Sequence, residues 1–338
     1  MRHQISGFQK PKFWLDTAIQ TFKWKNNMIL LVGAGYMAQN HAKVLSALGK
    51  EYIVVGRGEE TAQKFEKETG HYVIRGGIKR YLATIKSKID TAIITLPADH
   101  LKDASIELIK YGVTNILAEK PAGLNVNEIN ELSIVAEKLK ANVFVAYNRR
   151  FFSSVSAAQK IINDDGGVTS FNFEITEWGH VIAEQPHAKH IKDCQFLCNT
   201  SHVVDLAFYL GGKPKDIACF TEGSTDWHSR SAVFSGAGQT VNGSLFAYHG
   251  NWNAPGRWSV EMLTNAHRLI LRPMEQLQIQ KIGSVAIEGY TIDDELDLKY
   301  KPGLYRQLET FLSVNKGDLC TIHEHLKNCQ VYAKMANY

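Results

Sequence analysis

The sequence predicts an α/β chain in which a doubly wound parallel sheet comes first and an α+β domain on a mainly antiparallel sheet follows. Three observations carry this. From residue 28 onward, short apolar runs alternate with amphipathic stretches, the signature of βαβ units. The first of these runs leads directly into a glycine-rich turn. From residue 150 the apolar runs lengthen and follow one another through turns instead of helices, which is the pattern of antiparallel strands.

In the first half, strands are expected at residues 28–32, 52–55, 91–96, 114–118 and 142–147. Each is apolar almost throughout, as a sheet covered on both faces requires. Helical periodicity with charged outer faces fills 41–48, 60–69, 100–110 and 126–139. In the second half a helical segment at 154–163 precedes strand-like runs at 170–177, 231–234, 240–248, 258–263 and 267–271. Helical periodicity returns at 305–314 and 322–336, and these helices are expected to pack back on the first domain. The expected division is a polar extension at 1–27, domains at 28–149 and 150–304, and returning helices at 305–338.

A chain of 338 residues, 44% hydrophobic and 21% charged, has room for two cores. Its net charge of +4 is small, and its dispersed lysines and arginines form no basic run interleaved with aromatics, so no nucleic-acid partner is expected. The five cysteines, Cys194, Cys198, Cys219, Cys320 and Cys329, contain no C-x-x-C pair and fit a reducing compartment. No stretch approaches the ~18 apolar residues of a membrane span. The first 27 residues also lack the apolar core of a signal peptide, and a cytoplasmic protein is expected.

The glycine-rich turn reads Gly33-Ala34-Gly35-Tyr36-Met37-Ala38, a GxGxxA between a strand and a helix. In that context Gly33 makes the tight turn and Gly35 lets the backbone approach a pyrophosphate. Ala38 permits close helix–strand packing, so a Rossmann-type dinucleotide site is expected. About twenty residues on, where an acid would bind the ribose of NAD, stands Arg57. A guanidinium there suits the 2′-phosphate of NADP, which is favoured over NAD. The alternative is a solvated Arg57, with Glu59 or Glu60 serving the ribose.

Further clusters lie at the carboxyl ends of expected strands, where open α/β sheets bind ligands. They are Thr95-Leu96-Pro97 with His100, Glu119-Lys120-Pro121, and Tyr147-Asn148-Arg149-Arg150. Downstream, Thr200-Ser201-His202-Val203-Val204-Asp205 opens an amphipathic run.

In this order the motifs resemble the Gfo/Idh/MocA oxidoreductase family over nearly the whole chain, with residues 248–258 and 305–311 similar to its later strand, turn and returning helix. The resemblance implies a large open sheet in the second domain that forms homodimer or homotetramer contacts. It also implies hydride transfer between NAD(P) and a secondary alcohol or ketone of a sugar, cyclitol or nucleotide-linked sugar. Lys120 would meet the reacting oxygen, Glu119 the nicotinamide ribose, and Pro121 would follow a cis peptide. His202 would be the acid/base histidine, Asp205 its helix acid or a substrate contact, and Asn148 and Arg149 the pocket floor. A lysine beside a cationic ring and an apolar wall has its pKa lowered, and a histidine titrates near neutrality; both suit proton exchange.

One position departs from the pattern: where many members carry Asp, four residues before the histidine, this chain has Cys198, followed by Asn199. That keeps open a non-catalytic dinucleotide-binding sensor, alongside reduction of a C=N or C=C bond. Cys198 and His202 at i, i+4, with His187 and His190 nearby, do not make a ligand set, and no metal is expected. Trp178, His180 and residues 187–192 are candidate substrate contacts by location.

Overall fold

The computed structural model describes residues 28–338; the extension at 1–27 lies outside the described residues. A seven-stranded sheet is built from β1 (Ile29–Val32), β2 (Tyr52–Val55), β3 (Val73–Ile74), β4 (Thr91–Ile94), β5 (Asn115–Ala118) and β6 (Asn142–Val145), with the late strand β15 (Cys320–Thr321) at its edge. Strand order is β15-β6-β5-β4-β1-β2-β3, parallel except for β15, whose Cys320 pairs with Val145. The order reverses at β1, which puts a crevice beyond the carboxyl ends of β1 and β4.

The crossovers are α1 (Tyr36–Ala47), α2 (Glu59–Thr69), α3 (Gly77–Thr84), α4 (Ala98–Tyr111) and α5 (Val126–Lys138). Helix α5 begins with a reciprocal cap: Asn125 accepts from the Glu128 N–H, and Glu128 accepts from the Leu124 N–H. β1, β5 and β6 bury nearly every side chain in the apolar layers on both faces. Strands expected to run to residues 96 and 147 end at Ile94 and Val145. Thr95 still bonds Val32 O, but Pro97 has no N–H to continue the ladder, and past Ala146 the chain turns into a 3-10 turn at Asn148–Phe151.

After α6 (Ser153–Asp164) comes β7 (Ser170–Glu174), then the short helices α7 (Gly179–Glu184) and α8 (Lys189–Lys192). A π-helical turn at Phe196–Thr200 runs into α9 (Ser201–Gly211). The second sheet adds β8 (Pro214–Glu222), β9 (Val233–Thr240), β10 (Leu245–Asn251), β11 (Ser259–Leu263), β12 (His267–Leu271), β13 (Gln278–Lys281) and β14 (Glu288–Gly289). Its order is β14-β13-β12-β11-β7-β10-β9-β8, antiparallel except where β7 meets β10.

The expected strand at 240–248 is split by a hairpin turn: Thr240 N–H bonds Ser244 O at 2.9 Å, and Gly243 takes a φ of 92°. β8 and β13 were not expected, because half-exposed charged and amide residues interrupt their apolar alternation. One sheet face carries Phe171, Phe173, Phe246 and Tyr248 against Phe208 of α9. The opposite face is open, with Phe220 69% and Leu245 60% exposed.

The chain then returns to the first sheet through α10 (Glu295–Lys299), α11 (Leu304–Leu312), β15 and α12 (Ile322–Ala336). Helix α11 packs on α1, and α12 packs on α5 with Thr321 as its N-cap. Among the described residues no helix is long and apolar enough to cross a membrane.

Candidate active site

The dinucleotide cradle forms where β1 meets α1. Gly33 takes a φ of 116° and lies so close to β4 that a Cβ would meet Thr95 Oγ1 at 2.4 Å. A Cβ on Gly35 would meet nothing within 4 Å, so space is open on the side where a pyrophosphate approaches. Helix α1 has no side-chain cap and no acid in its first turn, leaving its N–H groups and positive dipole end for an anion. Ala38 is buried against the sheet, Met37 is half-buried and Tyr36 is exposed beneath Lys301. The residues present fit a dinucleotide phosphate.

Arg57, at the tip of β2, is exposed, and among the described residues it has no ion-pair partner. Glu59 is taken by Arg75, at 3.2 Å, which also holds Glu66. Glu60 remains solvated. Thr95 donates through Oγ1 to Val32 O at 3.0 Å, Pro97 caps α4, and His100 sits half-buried in its first turn. Of these residues, Thr95 lies directly against Gly33.

Lys120 follows β5 and precedes a cis peptide to Pro121. Its ammonium donates to the carbonyl of Cys198 in the π-helical turn, which joins the first sheet's edge to the start of α9. Burial pushes the Lys120 pKa down, opposed by the nearby Cys198 and Glu119. Glu119 is held by His41, a fully buried residue of α1, across 3.3 Å.

His202, in the first turn of α9, is buried with its ring edge-on to Tyr147 at 5.7 Å and 6.4 Å from the Trp258 ring. Burial drives its pKa well below the usual value, and Arg149 and Lys120 add to the shift. The imidazole is therefore neutral, with Nδ1 unpartnered. Arg149 lies 4.8 Å over the Trp258 ring, its pKa lowered to about 10 by burial first. Lys120 and Arg149 both lie near enough to His202 to act on its charge.

Asp205 does not join them. Its carboxylate accepts two bonds from Arg150, at 2.6 and 2.7 Å, in a pair that is almost fully buried. Asn148 donates through Nδ2 to Pro302 O at 2.9 Å. Trp178 is half-exposed, and its indole N–H bonds Gly256 O at 3.1 Å. His180 and His187 are exposed, whereas His190 reaches Asp99 at 3.2 Å and links the second sheet's loop to α4. Among the described residues no group of His, Cys, Asp and Glu is placed to hold a metal.

Sequence reasoning missed Glu177. This carboxylate, 1% exposed, leaves the end of β7 and accepts from Thr200 Oγ1 at 2.7 Å, Asn199 Nδ2 at 3.0 Å and Arg257 Nη1 at 3.0 Å. Burial raises its pKa against these bonds. At Cys198, where the sequence lacks an acid, burial pushes the thiol up to about 12. Arg257 lies 4.4 Å over Trp258 and 4.9 Å over Trp178. The Arg-Trp pair at 257–258 was the available signal for this wall. A cavity of about 920 Å³ opens beyond Trp178, lined among others by His180, Asp226, Trp227 and Trp252.

Residues 28–147 match the family model described as an oxidoreductase family with an NAD-binding Rossmann fold, Gfo/Idh/MocA. The chain is 27% identical over 195 residues to inositol 2-dehydrogenase of Rhizobium meliloti, the match covering 55% of this chain and 56% of that one. It thus spans little more than half the length of that curated relative. An oxidoreductase of Thermotoga maritima superposes with a TM-score of 0.74 at 16% identity, covering 92% of this chain and 96% of that one. UDP-N-acetylglucosamine 3-dehydrogenase of Acidithiobacillus ferrooxidans does so with 0.72, also at 16% identity and the same coverage. The two superpositions show a shared fold.

Proposed function

We propose that this chain, whose residues 28–147 match the Gfo/Idh/MocA oxidoreductase family model, transfers a hydride between a nicotinamide dinucleotide and a secondary alcohol or ketone of a sugar, cyclitol or nucleotide-linked sugar. The observation that carries this is the convergence of Lys120 and neutral His202 beside the crevice at the sheet's switch point. When bound, the nicotinamide supplies the hydride acceptor or donor. The protein's part is to orient and to move a proton. Gly33, Gly35 and the α1 N-terminus seat the pyrophosphate, Thr95, Leu96 and Pro97 border the nicotinamide half, and Glu119, steadied by His41, faces its ribose.

Lys120 hydrogen-bonds the reacting oxygen, and His202 takes its proton during oxidation or returns it during reduction. Burial lowers both pKa values, which brings proton exchange with the reacting oxygen within easier reach of each group. Arg149 and Trp258 wall the substrate, and Asp205 supports the fold through its buried pair with Arg150. Unpaired Arg57, with Glu59 engaged elsewhere, supports NADP over NAD.

The reading includes the division at 28–149, 150–304 and 305–338, a cytoplasmic location supported by the odd, unpatterned cysteine set, and a homodimer or homotetramer through the open sheet face. The test is cofactor titration followed by nicotinamide absorbance with a panel of sugars, cyclitols and nucleotide sugars. Turnover that Lys120→Met and His202→Asn abolish supports the proposal. Tight cofactor binding without turnover on any panel member transfers support to the sensor, the reading that Cys198 favours.

A further inference from the structure

Arg149 has no acceptor. Among the described residues its guanidinium makes neither hydrogen bond nor ion pair, and its Nε is sealed from solvent. The Trp258 indole N–H beside it is also buried and unpartnered. Both groups can only donate. Arg149 as a whole is half-buried, so the buried donors are its Nε–H and the indole N–H; buried donors without acceptors are rare in folded proteins and costly.

The surrounding charge does not repair this. Lys120, Arg149, Arg257 and Lys301 act on this space against Glu119, Glu177 and Glu275. Glu177 has its oxygens occupied by Thr200, Asn199 and Arg257, and Glu119 faces His41. Glu275 acts on Arg149 without bonding it. One positive charge is left over, beside two donors that have no partner among the described residues.

We propose that the substrate carries an anionic group, a carboxylate or a phosphate, that seats on Arg149 beside Trp258. This rests on the hydride-transfer reading and narrows its substrate to charged members of the sugar class. The nearby Lys120 then meets the reacting hydroxyl while the anion fixes the ring, and the cavity beyond Trp178 has room for whatever the anionic group links to the sugar.

The test is equilibrium binding, read by tryptophan fluorescence, to the protein saturated with oxidised dinucleotide. The probes are glucose, glucuronate and UDP-glucose. At least one anionic probe is expected to bind about 10-fold or more tightly than glucose, the size of one charge-assisted bond. Its affinity should fall as ionic strength rises, and Arg149→Gln should remove most of the advantage. Preference for glucuronate identifies a carboxylate, preference for UDP-glucose a diphosphate. The salt dependence is measured on unaltered protein, so a poorly folding variant does not block the result. The inference is overturned if neither anionic probe exceeds glucose, or if Arg149→Gln weakens the dinucleotide instead of the probe. Failure of the wild-type protein to bind dinucleotide at all would instead defeat the underlying functional reading.

Discussion

Replacing Asp205 by alanine separates support from substrate binding. The Arg150–Asp205 pair is 4% and 1% exposed at its side chains, and two short bonds join it. Removing the carboxylate leaves a guanidinium in the interior, a change that typically costs about 3–5 kcal/mol. Arg150 keeps two weaker acceptors, Glu324 Oε1 and Asp318 O, each at 3.2 Å, and Tyr332 loses only a long contact at 3.5 Å. The lower end of the range, about 3 kcal/mol, is therefore expected. Urea unfolding, with the slope checked for constancy, measures it. The companion Arg150→Met, Asp205→Leu double variant should recover most of the loss, because no charge is then stranded. The KM for substrate should stay within about threefold. A stability loss below about 1 kcal/mol with a large rise in KM would refute the assignment and return Asp205 to the substrate.

Other expectations follow from the same geometry. Lys120→Met should lower kcat by about 10²–10⁴ while leaving dinucleotide affinity, followed by nicotinamide fluorescence, nearly unchanged. Arg57→Ala should weaken NADP binding by about 1.5–3 kcal/mol and leave NAD binding unaltered, as titration of both cofactors would show. His325, buried with Nε2 2.8 Å from Pro121 O, has its pKa lowered to about 4 by burial. The unfolded chain binds this proton near pH 6.5 and the folded chain does not. Stability should therefore be complete above about 6.5 and fall by about 3 kcal/mol as pH drops toward 4. His325→Gln should flatten that part of the curve measured by urea unfolding.

The parallel domain was legible because strands buried on both faces are written as continuous apolar runs, and because GxGxxA fixes a strand and a helix on either side of itself. Lys120, Arg149 and His202 could be found for a related reason: each stands at a strand end or helix start, where position decides what a side chain reaches. β8 and β13 were hidden because half-exposed strands, one at a sheet edge and one next to the other edge, carry Lys, Asp and Gln that mask their period. Glu177 was hidden too, since nothing local distinguishes a strand-end carboxylate that points inward from one that is solvated. Its meaning comes from Thr200 and Arg257, 23 and 80 positions away. The resemblance names Asp205 as a helix acid, but nothing in its sequence neighbourhood points to Arg150, 55 positions away, as its partner.

The central claim is tested most directly by following the hydride itself. Reduced dinucleotide deuterated at C4 would be incubated with the keto form of whichever panel sugar turns over, and the product analysed by mass spectrometry and NMR. The account predicts one deuterium on the carbon that bore the carbonyl, at a rate suppressed by Lys120→Met. Product without deuterium, or transfer at an undiminished rate in that variant, would contradict it.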